Sequence, residues 1–230
     1  MSADFPLIQA RNVARRHPDG RQWLLDHVSL EIRAGARLSI SGPSGSGKTL
    51  LLRALALLDP LDDGDVSWQG RPVRGNEVPD FRRRVVYLHQ RPALIEATVE
   101  AALRRPFSLR VHCRRRFDRD RIVGWLEGLR RDASFLGKPV GELSGGESQI
   151  AALLRALQLD PAVLLLDEPT AALDPPTVAA VEGLLRNWVE ELPDRRATVW
   201  VTHHAGQATR VGERIVHIEN GRIADANGIP

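Results

Sequence analysis

One stretch constrains this 230-residue chain more than any other: Gly42-Pro43-Ser44-Gly45-Ser46-Gly47-Lys48-Thr49. Just upstream, Arg37 to Ser41 reads as a buried strand. Just downstream, Thr49 to Leu58 carries apolar residues nearly all round, as a helix packed on a sheet does. A glycine-rich loop in that position lets successive backbone N–H groups turn inward around an anion, and the helix N-terminus adds positive potential. The pattern is complete for a loop that cradles nucleotide phosphates. Lys48 is expected to reach the β- and γ-phosphates, and the Thr49 hydroxyl to bind Mg2+. Lysine is rare here. Of 32 basic residues only Lys48 and Lys138 are lysines, so chance alone seldom puts an ammonium in this loop.

The remainder of the chain supplies a sheet for the loop to stand on. Residues 7–13 and 28–33 read as strands, the second alternating Val28, Leu30 and Ile32, with a turn at Asp19-Gly20 between them. Asp62-Asp63-Gly64-Asp65 reads as a turn and Val66 to Gln69 as an edge strand. Val85 to Leu88, Ala162 to Leu166 and Thr198 to Thr202 are short apolar strands, and Arg214 to Ile218 with Arg222 to Ala224 form a hairpin about Asn220-Gly221. Gly145 to Gln158 and Thr177 to Leu192 read as helices. Residues 91 to about 142 read as helical, polar and Arg-rich, broken at Pro92, Pro106 and Pro139. Continuous apolar strands alternating with helices predict an α/β fold, with a mainly parallel sheet covered on both faces.

Val163-Leu164-Leu165-Leu166-Asp167-Glu168 places two carboxylates at the C-terminal end of a central strand, where open α/β sheets bind ligands. Asp167 is expected in the Mg2+ shell. Glu168 is expected to orient and deprotonate an attacking water. A third segment, Leu143-Ser144-Gly145-Gly146-Glu147, offers a hydroxyl and exposed N–H groups at another helix start, a second anion site. One triphosphate needs only one phosphate loop. The second site makes sense when it caps the γ-phosphate of ATP held by another copy of the chain.

With these segments in order, the sequence resembles the ATP-binding subunit of ABC transporters over nearly its whole length. Leu143 to Glu147 matches that superfamily's signature motif. Tyr87-Leu88-His89-Gln90 resembles the Q-loop, which implies that Gln90 reaches Mg2+ and the water and couples to a membrane partner. Ala171-Ala172-Leu173-Asp174 resembles the D-loop, which places Asp174 at the dimer interface. Val201-Thr202-His203 resembles the switch-histidine strand, with His203 rather than His204 at the γ-phosphate. The resemblance implies a phosphate-loop, RecA-like ATPase core with an antiparallel β edge subdomain and an inserted helical subdomain. Residues 1–230 then form one domain, its core about 1–90 and 156–230 and its helical subdomain about 91–155. ATP and Mg2+ are the implied ligands. The implied partners are a second copy in the ATP-bound state and an integral membrane permease.

Two departures stand out. Where family members usually stack an aromatic ring on adenine, this chain has His17-Pro18-Asp19-Gly20, with Trp23 a short turn away as the alternative. Ser148 and Ile150 replace a usual basic residue after the signature, while Gln149 is as expected. Within the superfamily, Leu154 to Gln158, Pro161 to Asp167, Thr198 to His203 and Leu103 to Arg110 are similar to the bacterial iron-efflux ATP-binding subunits. Amino-acid, phosphate and lipid transporters are the alternatives. A chromosome-maintenance ATPase would insert a long coiled coil between phosphate loop and signature, and no sustained heptads appear here. A translation-factor relative would carry two cassettes.

Composition points to a cytoplasmic chain, and the resemblance implies that it lies peripherally on the inner face of the membrane. No apolar run approaches the roughly 20 residues that span a bilayer, and the start of the chain carries no signal peptide pattern. One cysteine, Cys113 beside His112, forms no internal disulfide and is read as incidental to metal binding. The net charge of +3 is mild. The Arg clusters at 82–84 and 114–116 lack interleaved aromatics, so no nucleic acid is expected.

Overall fold

Val163, Leu164, Leu165 and Leu166 are all 0% exposed, as a strand sandwiched on both faces must be. Around them the computed structural model describes residues 5–112 and 115–228, so Cys113 and Arg114 lie outside the described residues. The chain runs through β1 (Ile8–Arg16), β2 (Trp23–Ile32), β3 (Arg37–Ser41), α1 (Lys48–Leu55), β4 (Asp63–Trp68) and β5 (Arg71–Pro72). It continues through α2 (Val78–Arg84), β6 (Val85–Leu88), α3 (Val99–Arg104), α4 (Arg119–Gly128), α5 (Gly145–Leu157) and β7 (Val163–Asp167). It ends with α6 (Pro175–Glu190), β8 (Ala197–Val201), α7 (Ala205–Val211), β9 (Arg214–Glu219) and β10 (Arg222–Gly228).

Two sheets result. The larger has the order β10-β9-β3-β8-β7-β6, parallel except for the terminal hairpin strand β10. The smaller is antiparallel, ordered β2-β1-β4-β5. Strand alternation divides the core. Val163 and Leu165 join a cluster with α1 and the antiparallel sheet. Leu164 and Leu166 face the other way, into a cluster with α5, α6 and the helices of residues 99–136. β7 therefore holds its terminal carboxylate, Asp167, between two packed layers.

The structure corrects three local readings. Asp63 to Asp65 is not a turn but the start of β4, pairing with Ala14 and Arg11 of β1. Gly64 is required there because β1 bulges at Asn12: a Cβ on Gly64 would lie 2.3 Å from the Asn12 carbonyl oxygen. β4 is also not an edge, since the two-residue β5 covers it. Residues 91–142 are less helical than their composition suggests. Among the described residues of this stretch only α3 and α4 are α-helical, and the other described residues are loop and short 3-10 turns at Arg105–Ser108, Arg110–His112, Ala133–Gly137 and Val140–Glu142. Pro106 and Pro139 cap the reach of those segments by removing helix donors. Two short helices, α2 and α7, were not foreseen.

Candidate functional site

The phosphate loop is shaped by backbone that L side chains rarely adopt. Gly42 has φ 144° and Gly47 has φ 103°. A Cβ on Gly42 would lie 2.1 Å from the Ile218 carbonyl oxygen, and one on Gly47 would lie 2.9 Å from that of Leu24. β9 and β2 thus clamp the loop from both sides. α1 opens at Lys48 with no side chain capping its N–H groups. The Ser46 hydroxyl is buried without a partner. Open donors at a helix start are what an anion requires.

Lys48 folds back over this loop. Its Nζ donates to the carbonyls of Gly42, at 2.9 Å, and Pro43, at 2.7 Å. Burial pushes the Lys48 ammonium down from the usual lysine value, against the pull of Glu168 and Asp167. Asp167 is 3% exposed and takes two hydrogen bonds: the Thr49 hydroxyl donates to one oxygen at 3.2 Å, the Tyr87 hydroxyl to the other at 2.9 Å. Burial, and then the Asp167 charge, push the Tyr87 hydroxyl far up. Tyr87 was legible only as part of the Q-loop stretch, and its role in fixing Asp167 was missed.

Glu168 sits one residue beyond β7 in the left-handed region, at φ 47°. Its N–H donates to the Val201 carbonyl at 3.1 Å, so β8 sets the turn. The turn swings the carboxylate between two neighbours. Gln90 Nε2 donates to Oε2 at 2.8 Å, and His203 Nδ1 lies 3.3 Å from Oε1. Gln90, Glu168 and His203 come from three strand ends, and their meeting depends on the parallel order β6-β7-β8.

Behind them Gln149, on α5 and 4% exposed, ties three loops together. Its Nε2 donates to the Gln90 carbonyl at 3.2 Å and the Glu168 carbonyl at 3.3 Å, and its Oε1 accepts from the Ala172 N–H at 3.1 Å. A buried Gln207 does the same for His203. It accepts from Thr202 Oγ1 at 2.7 Å and donates to Thr170 Oγ1 at 3.0 Å. Sequence reasoning did not single out Gln207, and nothing in its short, polar helix α7 signals it. A cavity of about 700 Å3 opens beside Glu168, His203 and Leu173.

The other expected residues lie apart from this cluster. Ser144 caps α5 in a reciprocal box with Glu147: the Glu147 N–H donates to Ser144 Oγ at 3.2 Å, and the Ser144 N–H to Glu147 Oε2 at 2.9 Å. Gly146 packs tightly, because a Cβ there would lie 2.6 Å from the Ala172 carbonyl oxygen. Among the described residues no hydrogen bond joins Ser144–Glu147 to the phosphate loop of the same chain. Asp174 caps α6, accepting from Thr177 N at 3.0 Å and Thr177 Oγ1 at 2.8 Å. His17 lies in the β1–β2 turn, its Nδ1 3.0 Å from Asp19. The Trp23 ring is already engaged, with the Arg16 guanidinium 4.2 Å from its centroid and the His27 ring edge-on at 5.1 Å.

The donor set fits a small divalent cation held together with phosphate. Thr49, Gln90 and Asp167 offer hydroxyl, amide and carboxylate oxygens, the hard donors that Mg2+ takes, and one carboxylate is enough when substrate phosphates complete the shell. Among the described residues there is no cluster of three or more His, Cys, Asp or Glu that would cage a metal alone. Also among them, no helix is long and apolar enough to cross a membrane.

Residues 25–171 match the family described as ABC transporter. A phosphate import ATP-binding protein of Natronomonas pharaonis is 37% identical over 219 residues, covering 88% of this chain and 74% of its own. A probable iron export ATP-binding protein of Escherichia coli is 36% identical over 203 residues, covering 88% of this chain and 87% of its own. Among solved structures, a dimeric post-hydrolysis state of an ATP-binding cassette bound to ADP and Pi superimposes with a TM-score of 0.86 at 29% identity, covering 97% of this chain and 99% of that one.

Proposed function

This chain belongs to the ABC transporter family and is an ATPase of its ATP-binding-subunit type, and from that premise we propose that two copies close head to tail over two ATP molecules to drive a separate membrane permease. The observation that carries the reading is the convergence on Glu168: one carboxylate, at a strand end, touched by both Gln90 and His203. Glu168 acts as the base for the attacking water, His203 orients it and meets the γ-phosphate, and Gln90 reports the site's state to the permease. Lys48 exchanges its two carbonyl partners for β- and γ-phosphate oxygens. The loop from Gly42 to Thr49 supplies N–H donors, and His17 stacks on adenine. Thr49, Asp167 and Gln90 hold Mg2+, which when bound offsets the charge on the phosphates. Ser144, Gly145, Gly146 and Glu147 meet the ATP held by the partner copy, and Asp174 lies at the interface between copies. The helical subdomain of this reading spans residues 91–155. The chain lies on the cytoplasmic face of the membrane through its permease.

Glu168→Gln tests the reading. A positioned base contributes on the order of 10²–10⁴-fold, so the variant should lose that much turnover while still binding ATP. It should accumulate as an ATP-bound dimer in gel filtration. Near-normal turnover would sink the assignment.

For the cargo we place iron or another metal moving outward first, on the likeness of Leu154 to Gln158 and Thr198 to His203 to iron-efflux subunits. The identities to the phosphate and iron relatives differ by one percentage point, 37% against 36%, so phosphate is the rival cargo. Deleting the chain should raise cellular iron and sensitivity to iron with peroxide. Unchanged iron content under iron load would move the reading to phosphate or another solute.

A further inference from the structure

The signature helix α5 carries a carboxylate where it has most power to repel a phosphate. Glu147 lies in the first turn, three residues after Ser144, and its two oxygens are divided between two partners. Oε2 accepts from the Ser144 N–H at 2.9 Å. Oε1 lies 2.6 Å from the Nζ of Lys138. The Lys138 ammonium, and then the Ser144 N–H, hold the Glu147 carboxyl below the usual carboxylate value. Glu147 is therefore a fixed charge at a helix start that Proposed function assigns to the partner's triphosphate.

Helix stability does not explain the lysine. A carboxylate in the first turn is already favourable to the helix dipole, and an ammonium at that end opposes it. The ion pair is partly exposed, 42% for Lys138 and 17% for Glu147, so by itself it adds little to folding. Nor is the residue carried there on a loose tether. The Lys138 carbonyl accepts from the Val99 N–H at 3.0 Å, the Val140 N–H donates to the Ala97 carbonyl at 3.1 Å, and Thr98 and Pro139 form a β-bridge. The segment leading into α3 fixes its backbone. It is also one of only two lysines in a chain that uses arginine nearly everywhere else.

We infer that Lys138 is a positioning residue for the signature anion site: it neutralises Glu147 and holds it against the Ser144 N–H, so that the start of α5 meets the partner's γ-phosphate without a facing negative charge. The inference rests on the head-to-tail reading of Proposed function. Lys138 touches no nucleotide and acts through Glu147.

The test is charge-specific. In the Glu168→Gln parent, the ATP concentration that half-saturates dimer formation is measured by sedimentation for Lys138→Met, Lys138→Arg, Glu147→Gln, and Lys138→Met combined with Glu147→Gln. In the unaltered background the same substitutions are assayed for KM and kcat. A charge at a helix end acts through roughly two- to fivefold in binding, so Lys138→Met should raise the half-saturating ATP and the KM by about that factor. The increase should shrink as salt is raised, and kcat at saturation should hold. Lys138→Arg should stay near the parent. In a Glu147→Gln background the Lys138→Met substitution should cost nothing further, because the glutamine still accepts from Ser144 but carries no charge for the lysine to offset. If Lys138→Met weakens binding as much in the Glu147→Gln background as in the parent, the lysine is a structural clamp and the inference fails. It fails equally if Lys138→Met matches the parent. If the Glu168→Gln parent forms no ATP-bound dimer, the head-to-tail reading itself falls and takes the inference with it.

Discussion

Lys48 opens α1 and Lys138 sets its ammonium on Glu147 in the first turn of α5, and the two helix starts are prepared in opposite ways. At α1 the N-cap is Gly47, no side chain caps the helix, and the Lys48 ammonium rests on two neutral carbonyls. At α5 the N-cap is Ser144, Glu147 returns the cap, and the Lys138 ammonium rests on that carboxylate. Open donors and a replaceable ammonium suit a site that takes up a highly charged ligand alone. A start whose donors are partly met and whose charges cancel suits a site that closes on a ligand already held elsewhere. The difference follows from sequence: glycine at one cap, serine with a glutamate three residues on at the other. It supports one loop to bind and another to recognise, in different copies.

The strongest way to break this contrast is to mix chains. Lys48→Ala should abolish uptake at the first start, and Ser144→Arg should block recognition at the second. Each homodimer should be inactive. A heterodimer of the two has one site with both defects and one site with neither, so ATPase activity should reappear in the mixture. If proven heterodimers stay inactive, the two starts do not serve different copies.

A smaller effect is expected where the two regions are joined. Gln149 sits on α5, the helix proposed to recognise the partner's ATP, yet donates to the carbonyls of Gln90 and Glu168 on the side proposed for hydrolysis. Gln149→Leu should leave the Gln90 carbonyl and the Ala172 N–H without that partner, while the Glu168 carbonyl keeps the Ala171 N–H at 3.2 Å, and should cost about 1–3 kcal/mol of folding stability. Turnover should fall by roughly tenfold or more as Glu168 loses its support, since small misplacements of catalytic groups are costly. Thermal unfolding and kcat at saturating ATP check the two parts. A stability loss with unchanged kcat would make Gln149 a packing residue.

The sequence and structure agree best where one physical demand dominates. β7 runs from Val163 to Leu166 without a polar residue, and β3 and β8 admit only small buried hydroxyls between their apolar residues, Ser39 and Thr198, because both faces are covered, and their motifs sit at the ends where such strands deliver side chains. They disagree where tertiary partners decide. Asp62 to Asp65 has turn composition, yet the bulge at Asn12 on β1 recruits it into β4, with Gly64 accommodating the close approach. Residues 91–142 have the arginine content of a helix but no sustained apolar stripe, so they fold into two short helices and several 3-10 turns that pack on α5. The candidate site was legible wherever a motif names a residue type at a fixed offset. Gln207 and Tyr87, which hold His203's turn and Asp167 in place, are supporting groups whose value appears only when distant strands meet.

The smallest expected effect concerns the adenine end of the first helix start. Both candidates for a stacking platform lie at the turn into β2, whose head reaches that start. The Leu24 carbonyl presses on Gly47, which brings the head of β2 against the loop, and His17 closes the turn that leads into β2. What separates them is the work each ring already does. Trp23 pairs across the strands with Arg16, whose guanidinium covers its ring, and His27 meets its edge. Its removal should therefore show first in folding, at about 1 kcal/mol for an exposed cation–π pair. The His17 ring has only Asp19 at its Nδ1, so its faces are unclaimed among the described contacts. A base–aromatic stack is worth roughly 1–3 kcal/mol in nucleic-acid systems, and phosphate contacts supply the larger share of ATP binding. His17→Ala should then weaken ATP binding several-fold, His17→Tyr should tighten it by a similar factor, and Trp23→Ala should lower the unfolding temperature with little change in affinity. ATP titrations on the three folded variants decide the matter. A loss of affinity confined to Trp23→Ala would move the platform to Trp23 and require Arg16 to leave its ring on binding. No change in any variant would mean that neither ring stacks and that the phosphates alone set affinity at this start.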